Sequence, residues 1–192
     1  MDHHDRKQRF EAIYTANYAD ILAYIRRRTA SHDDTADALA ETFATAWRRL
    51  DDVPQGHAAR LWLFGVARRV LANGRRAETR RGELVERLGR QLAGWAEQAG
   101  PHGGPQGGHG GDHDGVREAF ARLTPDDREV LALAGWEGLG SDEIAMVLGC
   151  SRNAARLRLH RARKRLARQL QAAGLDVARI GLRAVALTKG AM

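Results

Sequence analysis

Several features that define common protein classes are scarce or missing in this 192-residue sequence. Its single cysteine, Cys150, excludes an intramolecular disulfide and a cysteine-based zinc cluster. The N-terminus lacks the apolar run of a signal peptide, and no stretch approaches the ~18 consecutive apolar residues of a membrane-spanning helix. We therefore expect a cytoplasmic protein with no membrane insertion.

Catalytic signatures are missing too. The sequence has no phosphate-binding glycine loop, no HExxH metal motif, and no serine or cysteine in a recognisable nucleophile motif. The glycines at 100–115 lack the flanking strand and helix that a dinucleotide site requires. We therefore expect no enzymatic activity and no cofactor.

Apolar residues do not alternate with polar ones as in a half-buried strand; they recur at steps of three and four. This spacing predicts helices over about 9–29, 34–50 and 58–78, with a separate short helix within about 84–95. Since 43% of the residues are apolar, the chain can form packed cores. The predicted fold class is all-α.

The composition divides the chain in two. Between residues 100 and 115, eight of sixteen residues are glycine and two are proline, which indicates a flexible linker. Three histidines lie there without an apolar framework to hold them, so we expect no metal site. The predicted organisation is a helical domain at 1–82, a linker at 83–115, a second helical domain at 116–171 and a tail at 172–192.

The second domain carries the signals of a helix-turn-helix. We expect Thr124 to cap one helix, Ser141 to cap a short helix that ends at Gly149, and Ser151 to cap a long helix. A short helix, a glycine turn and a long helix form this motif, and its second helix enters the major groove of DNA.

The long helix is strongly basic. Residues 150–170 hold eight Arg or Lys and no acid, whereas 116–149 hold three cations and seven acids. A solvated helix usually mixes charges to gain i,i+4 pairs, whereas a single sign suits the phosphates of DNA. The formal net charge of +7 agrees with such a partner. The predicted DNA contacts are Ser151, Arg152, Asn153, Arg156, Arg158, His160, Arg161 and Lys164.

A second basic segment lies in the first domain. Residues 58–81 hold seven arginines against one glutamate, and the helix before them is acidic in its N-terminal half. The helix dipole favours acids at that end and accounts for some of them. An acidic helix beside a basic one also suggests one surface for DNA and another for a protein.

Three stretches resemble conserved regions of sigma-70 family initiation factors. "DDTADALAETFATAWRRL" is similar to region 2.2, "RLWLFGVARRVLANGRR" to regions 2.3 and 2.4, and "LTPDDREVLALAGWEGLGSDEIAMVLGCSRNAARLRLHRARKRL" to region 4. The layout of two regions without intervening promoter-binding domains resembles the extracytoplasmic-function (ECF) group.

The resemblance implies a protein that binds core RNA polymerase and directs promoter-specific transcription initiation. Region 2 would dock on the clamp helices of the largest polymerase subunit and read the minus-ten element. Region 4 would meet the flap of the second-largest subunit and read the minus-thirty-five element. An anti-sigma factor is a further implied partner. The implied polymerase contacts are Asp34, Asp37, Glu41, Thr45 and Arg48; the implied minus-ten contacts are Arg60, Arg68, Arg69, Asn73, Arg75 and Arg76.

One alternative stays open at the level of sequence. A stand-alone helix-turn-helix regulator, with an N-terminal sensor or dimerisation domain, would explain the second domain equally well. It would leave the arginine-rich helix of the first domain without a role. The sequence also departs from the family pattern, because Ala155 and Leu157 replace a β-branched and a small polar residue in the long helix. The bases read by the family are therefore not carried over.

Overall fold

A computed structural model describes residues 3–93 and 111–174, and every regular element within these ranges is helical. The all-α prediction is confirmed, with two compact units at residues 1–106 and 107–192. Within the described ranges, no helix has the length and apolar content to cross a membrane. The helices are α1 (His3–Arg26), α2 (His32–Arg48), α3 (His57–Ala93), α4 (Gly111–Ala121), α5 (Pro125–Gly135), α6 (Ser141–Leu148) and α7 (Arg152–Ala172).

The first unit is a bundle of α1, α2 and α3, in which each helix packs against the other two. Tyr24 of α1 and Phe64 of α3 are buried with their ring centroids 5.0 Å apart. The other buried apolar residues of this bundle include Ile21, Ile25, Phe43, Ala46, Leu61, Leu63 and Ala67. After α2, a short 3-10 turn at Leu50–Asp52 places Leu50 in an apolar cluster with Val53 and Ala59.

The third helix is longer than its sequence pattern predicts. We expected one helix ending near residue 78 and a separate short one within 84–95, but α3 runs unbroken from His57 to Ala93. No proline lies between Pro54 and Pro101, and an interior glycine costs a helix only about 1 kcal/mol. The interior glycines of α3 are therefore tolerated.

The second unit contains the predicted helix-turn-helix. Thr124 and Ser151 cap α5 and α7, each accepting a backbone N–H bond from the residue three positions on. Gly149 ends α6 with φ of +63°, a left-handed conformation that favours glycine. The predicted cap at Ser141 is wrong: the N-cap is Gly140, whose N–H donates to the Glu143 carboxylate over 2.8 Å.

Two predicted segments fall partly or wholly outside the described residues. Of the linker predicted at 83–115, residues 83–93 belong to α3, residues 94–110 lie outside the described ranges, and residues 111–115 belong to α4. Of the tail, residues 175–192 lie outside.

An ion pair with a buried carboxylate joins α5 to α7. Arg165 donates from Nη1 to both carboxylate oxygens of Asp127, at 2.8 and 2.7 Å, and Thr124 donates its hydroxyl hydrogen to the same carboxylate. The Asp127 side chain is 8% exposed and that of Arg165 is 50% exposed. The acid therefore depends on Arg165 for compensation of its charge.

We expect Arg165→Ala to lower the free energy of unfolding of the second unit by about 2 kcal/mol, because a buried carboxylate loses its charged partner. Urea denaturation of the full chain measures this loss when unfolding is monitored through the NMR signals of residues 125–170. Arg122→Ala removes an exposed pair with Glu118 and should cost at most about 0.5 kcal/mol. Equal losses in the two variants would contradict a stabilising role for the pair between Arg165 and Asp127.

Candidate polymerase and DNA interfaces

The predicted polymerase contacts share one side of α2. Steps of three and four residues separate them, so 3.6 residues per turn place them in a single stripe. The stripe is exposed apart from Thr45, which is half-buried. We call this stripe the α2 face; it consists of Asp34, Asp37, Glu41, Thr45 and Arg48.

Hydrogen bonds order the C-terminal half of the α2 face. Arg48 Nη2 donates to Glu41 Oε1 over 2.6 Å and to the Thr45 hydroxyl over 2.8 Å, and that hydroxyl donates to Glu41 over 3.2 Å. The bond and charge of Arg48 lower the pKa of the Glu41 carboxyl. Glu41 therefore remains an anion at neutral pH, in a defined place on this surface.

Asp34 begins the same face and belongs to the helix cap. The Ser31 hydroxyl donates to the Asp34 carboxylate over 2.7 Å and accepts from its N–H over 3.0 Å. Asp37 lies one turn further on and is exposed. The N-terminal half of the α2 face is therefore acidic, where the helix dipole stabilises negative charge.

The predicted minus-ten contacts lie on α3, and the structure brings most of them together. Arg69, Asn73, Arg75 and Arg76 are exposed, and Arg68 is half-buried at the edge of the same surface. Over about two turns of helix, three guanidinium groups and one amide are thus exposed, and a fourth guanidinium is half-buried beside them. This surface combines the positive charge and the amide that single-stranded DNA binding uses.

Arg60 is placed differently from the other predicted minus-ten contacts. It is half-buried, and its Nη1 donates to Asp20 Oδ2 of α1 over 3.0 Å. Its guanidinium also lies 5.9 Å from the ring centroid of Phe64. These contacts give Arg60 a role in joining α1 to α3.

The predicted minus-thirty-five contacts lie on the outer side of α7. The buried stripe of this helix includes Ala155, Leu159, Ala162 and Leu166. The predicted contacts are exposed, and Ser151 among them serves as the helix cap. Arg158 lies towards one flank, since helix geometry places it beside Ala155 and Ala162. We call the remainder the α7 outer face; it consists of Asn153, Arg156, Leu157, His160, Arg161 and Lys164.

Arg152, the first residue of α7, has an acidic partner. Its Nε lies 2.7 Å from Asp142 Oδ1 of α6, and both side chains are largely exposed. This pair holds the guanidinium at the N-terminus of α7, where residues of a recognition helix reach base edges. The sequence does not reveal Asp142 as a partner of Arg152, because only the packing of α6 against α7 brings the two side chains together.

A cleft of about 610 Å³ lies between the start of α6 and α7, and four residues of the α7 outer face line it. Its lining comprises Ser141, Asn153, Arg156, Leu157, Leu159, His160 and Arg163. Three of these residues are predicted DNA contacts, whereas Leu157 is an apolar side chain that the prediction omitted. Its position one residue after Arg156 and three before His160 was the available signal.

In the described part of the chain, no group of three or more His, Cys, Asp or Glu side chains is arranged to hold a metal ion. The chemistry of these surfaces is ionic and hydrogen-bonding. They can hold a polyanion on α3 and α7 and a basic protein surface on α2.

Comparison with protein families matches both units. Residues 13–81 match Sigma-70 region 2, and residues 113–166 match Sigma-70, region 4. The first match contains the α2 face and the basic part of α3, and the second contains the helix-turn-helix.

Individual proteins are similar along most of their length. The RNA polymerase sigma factor CnrH of Cupriavidus metallidurans is 32% identical over 142 residues, which is 72% of this chain and 74% of CnrH. The ECF RNA polymerase sigma factor SigL of Mycobacterium tuberculosis is 27% identical over 165 residues, 85% of this chain and 90% of SigL. A solved Bartonella quintana structure, the sigma factor RpoE in complex with the anti-sigma factor NepR, has a TM-score of 0.50 at 25% identity and covers 87% of this chain and 97% of that one.

Proposed function

The chain belongs to the sigma-70 family of RNA polymerase sigma factors, in its ECF group, and we propose that its two units share promoter-specific transcription initiation between them. Within the first unit, residues 1–82 would bind core polymerase and the minus-ten element; within the second, residues 116–171 would bind the minus-thirty-five element. The observation that supports this division is the presence of both family regions, in order, on two separate helical units.

In the first unit, the α2 face is proposed to dock on the clamp helices of the largest polymerase subunit. Its ordered carboxylates suit a basic partner surface, because charge complementarity steers and aligns such contacts. On α3, Arg68, Arg69, Asn73, Arg75 and Arg76 are proposed to hold the melted minus-ten strand through its phosphates and bases. Arg60 is proposed to support this surface through its bond to Asp20.

In the second unit, α7 is proposed to enter the major groove of the minus-thirty-five element. Arginine can form two hydrogen bonds to guanine and asparagine two to adenine, which suits Arg152, Asn153 and Arg156 near the start of the helix. Arg158, His160, Arg161 and Lys164 are proposed to contact phosphates and thereby position the helix. This unit would also meet the flap of the second-largest polymerase subunit.

We also propose that an anti-sigma factor controls this protein. Bartonella quintana RpoE is solved in complex with such a factor, and this chain is similar to RpoE over 87% of its length. The protein would act in the cytoplasm, where core polymerase is, as a specificity subunit without catalytic activity or cofactor.

In-vitro transcription from a fragmented genomic library tests the proposal. Core RNA polymerase with this protein is expected to initiate at new start sites that share two spaced upstream motifs, whereas core polymerase alone is not. If no new start appears, and the protein binds duplex DNA but not core polymerase, a stand-alone helix-turn-helix regulator replaces the proposed function.

A further inference from the structure

Leu157 lies at the centre of the α7 outer face. It is 48% exposed, although leucine is usually buried. Its neighbours along this face are Asn153 four residues before it, His160 three after it and Arg161 four after it. Helix geometry places it opposite the buried stripe of α7, so it points where the helix meets its ligand.

Leu157 and three hydrogen-bonding side chains of the α7 outer face line the same cleft. The amide of Asn153, the guanidinium of Arg156 and the imidazole of His160 line it together with Leu157. In the major groove, an A·T pair offers hydrogen-bonding atoms beside the apolar C5 methyl group of thymine. The cleft thus has the mixture of polar and apolar groups that this base-pair edge presents.

We propose that Leu157 contacts the C5 methyl group of a thymine and thereby selects a base pair in the DNA element that α7 reads. The inference rests on the DNA-reading role of α7 in the proposed function, and it adds a specificity residue and its ligand. Contact removes both apolar surfaces from water, which is favourable only where the methyl group is present. Thymine is then preferred over cytosine at that position.

The test is a thymine-to-deoxyuridine scan, since deoxyuridine lacks only the methyl group. A duplex that the full-length protein selects from a random library is resynthesised with each thymine replaced in turn, and affinities are measured at fixed salt. We expect a loss of about fourfold at one position, which corresponds to one methyl group leaving apolar contact. The Leu157→Ala variant should bind the thymine duplex and the deoxyuridine duplex of that position equally. The Leu157→Met variant should retain the preference for the thymine duplex.

Met146→Ala is the matched control, because Met146 is an exposed apolar residue of α6, at 56%, outside the α7 outer face. It should retain the fourfold preference. The inference is wrong if no thymine replacement weakens binding, or if Leu157→Ala remains as sensitive as the parent protein. If Leu157→Ala loses affinity for core polymerase while keeping the thymine preference, Leu157 contacts the polymerase instead and the inference is overturned.

The outcome is separable from that of the proposed function. Initiation with core polymerase tests the sigma role, whereas the methyl preference is measured with the protein and duplex alone. Failure of initiation with an intact preference would leave Leu157 its role in a regulator of another class. A library that yields no preferred duplex would overturn both the inference and the DNA-reading role of α7.

Discussion

The double variant Asn153→Ala/Arg156→Ala is expected to bind its selected duplex about 100-fold more weakly than the parent protein. Each residue can form two hydrogen bonds to a base edge, and each such pair discriminates by about 1–3 kcal/mol. Both side chains are exposed and line one cleft, so their removal should leave the fold intact. Fluorescence anisotropy with the selected duplex and a scrambled duplex, at one salt concentration, measures the affinities.

The scrambled duplex separates base contacts from phosphate contacts. If Asn153 and Arg156 read bases, binding to the scrambled duplex should fall by much less than binding to the selected one. An equal fall on both duplexes would assign the two residues to the DNA backbone. Arg122→Ala removes one positive charge from the end of α4 instead and should change neither affinity by more than about threefold.

Reversal of charge on the α2 face is expected to weaken the binding of this protein to core polymerase strongly. In Asp37→Lys/Glu41→Lys, two cations replace two exposed anions, and repulsion at a complementary interface costs several kcal/mol. We therefore expect affinity for core polymerase to fall by about 100-fold or more. Competition with a labelled parent protein for core polymerase measures this affinity, while binding to the selected duplex should be unchanged.

The matched control is Glu11→Lys/Glu118→Lys, which changes the net charge equally but lies on α1 and α4. Both glutamates are exposed and form surface pairs, with Lys7 and Arg122. This control should bind core polymerase nearly as the parent does. Loss of binding in both double variants would indicate a response to overall charge, and it would contradict a specific α2 interface.

Local signals predicted the start and end of several helices. Thr124, Ser151 and Gly149 each act on backbone groups within a few residues, so the sequence alone specifies their roles. Helical spacing likewise places the residues of the α2 face in one stripe, because their steps of three and four match the helical repeat. The prediction of Ser141 as the cap was wrong for a related reason. The Gly140 N–H donates to the Glu143 carboxylate, so Gly140 is the N-cap, and the local sequence does not distinguish this arrangement from a Ser141 cap.

Contacts between residues far apart in the chain could not be predicted from the sequence. Asp127 lies 38 positions from Arg165, and Asp20 lies 40 from Arg60. These pairs depend on how helices cross, which composition and spacing do not specify. The resemblance to sigma-70 region 2 grouped Arg60 with the minus-ten contacts, and the structure adds a partner for it on α1. The DNA-binding and polymerase-binding roles of the predicted contact residues remain predictions.

In the proposed complex with DNA, the ion pair between Asp142 and Arg152 would lower the net binding free energy that Arg152 contributes. Any phosphate or base must compete with a carboxylate 2.7 Å away, so DNA receives only the difference between the two interactions. A single exposed pair is worth about 0.2–1 kcal/mol, comparable to a weak backbone contact and less than a two-bond contact with guanine. If Arg152 reads a base as proposed, Asp142 would offset the benefit of weak, sequence-independent contacts while leaving a net gain for the correct base.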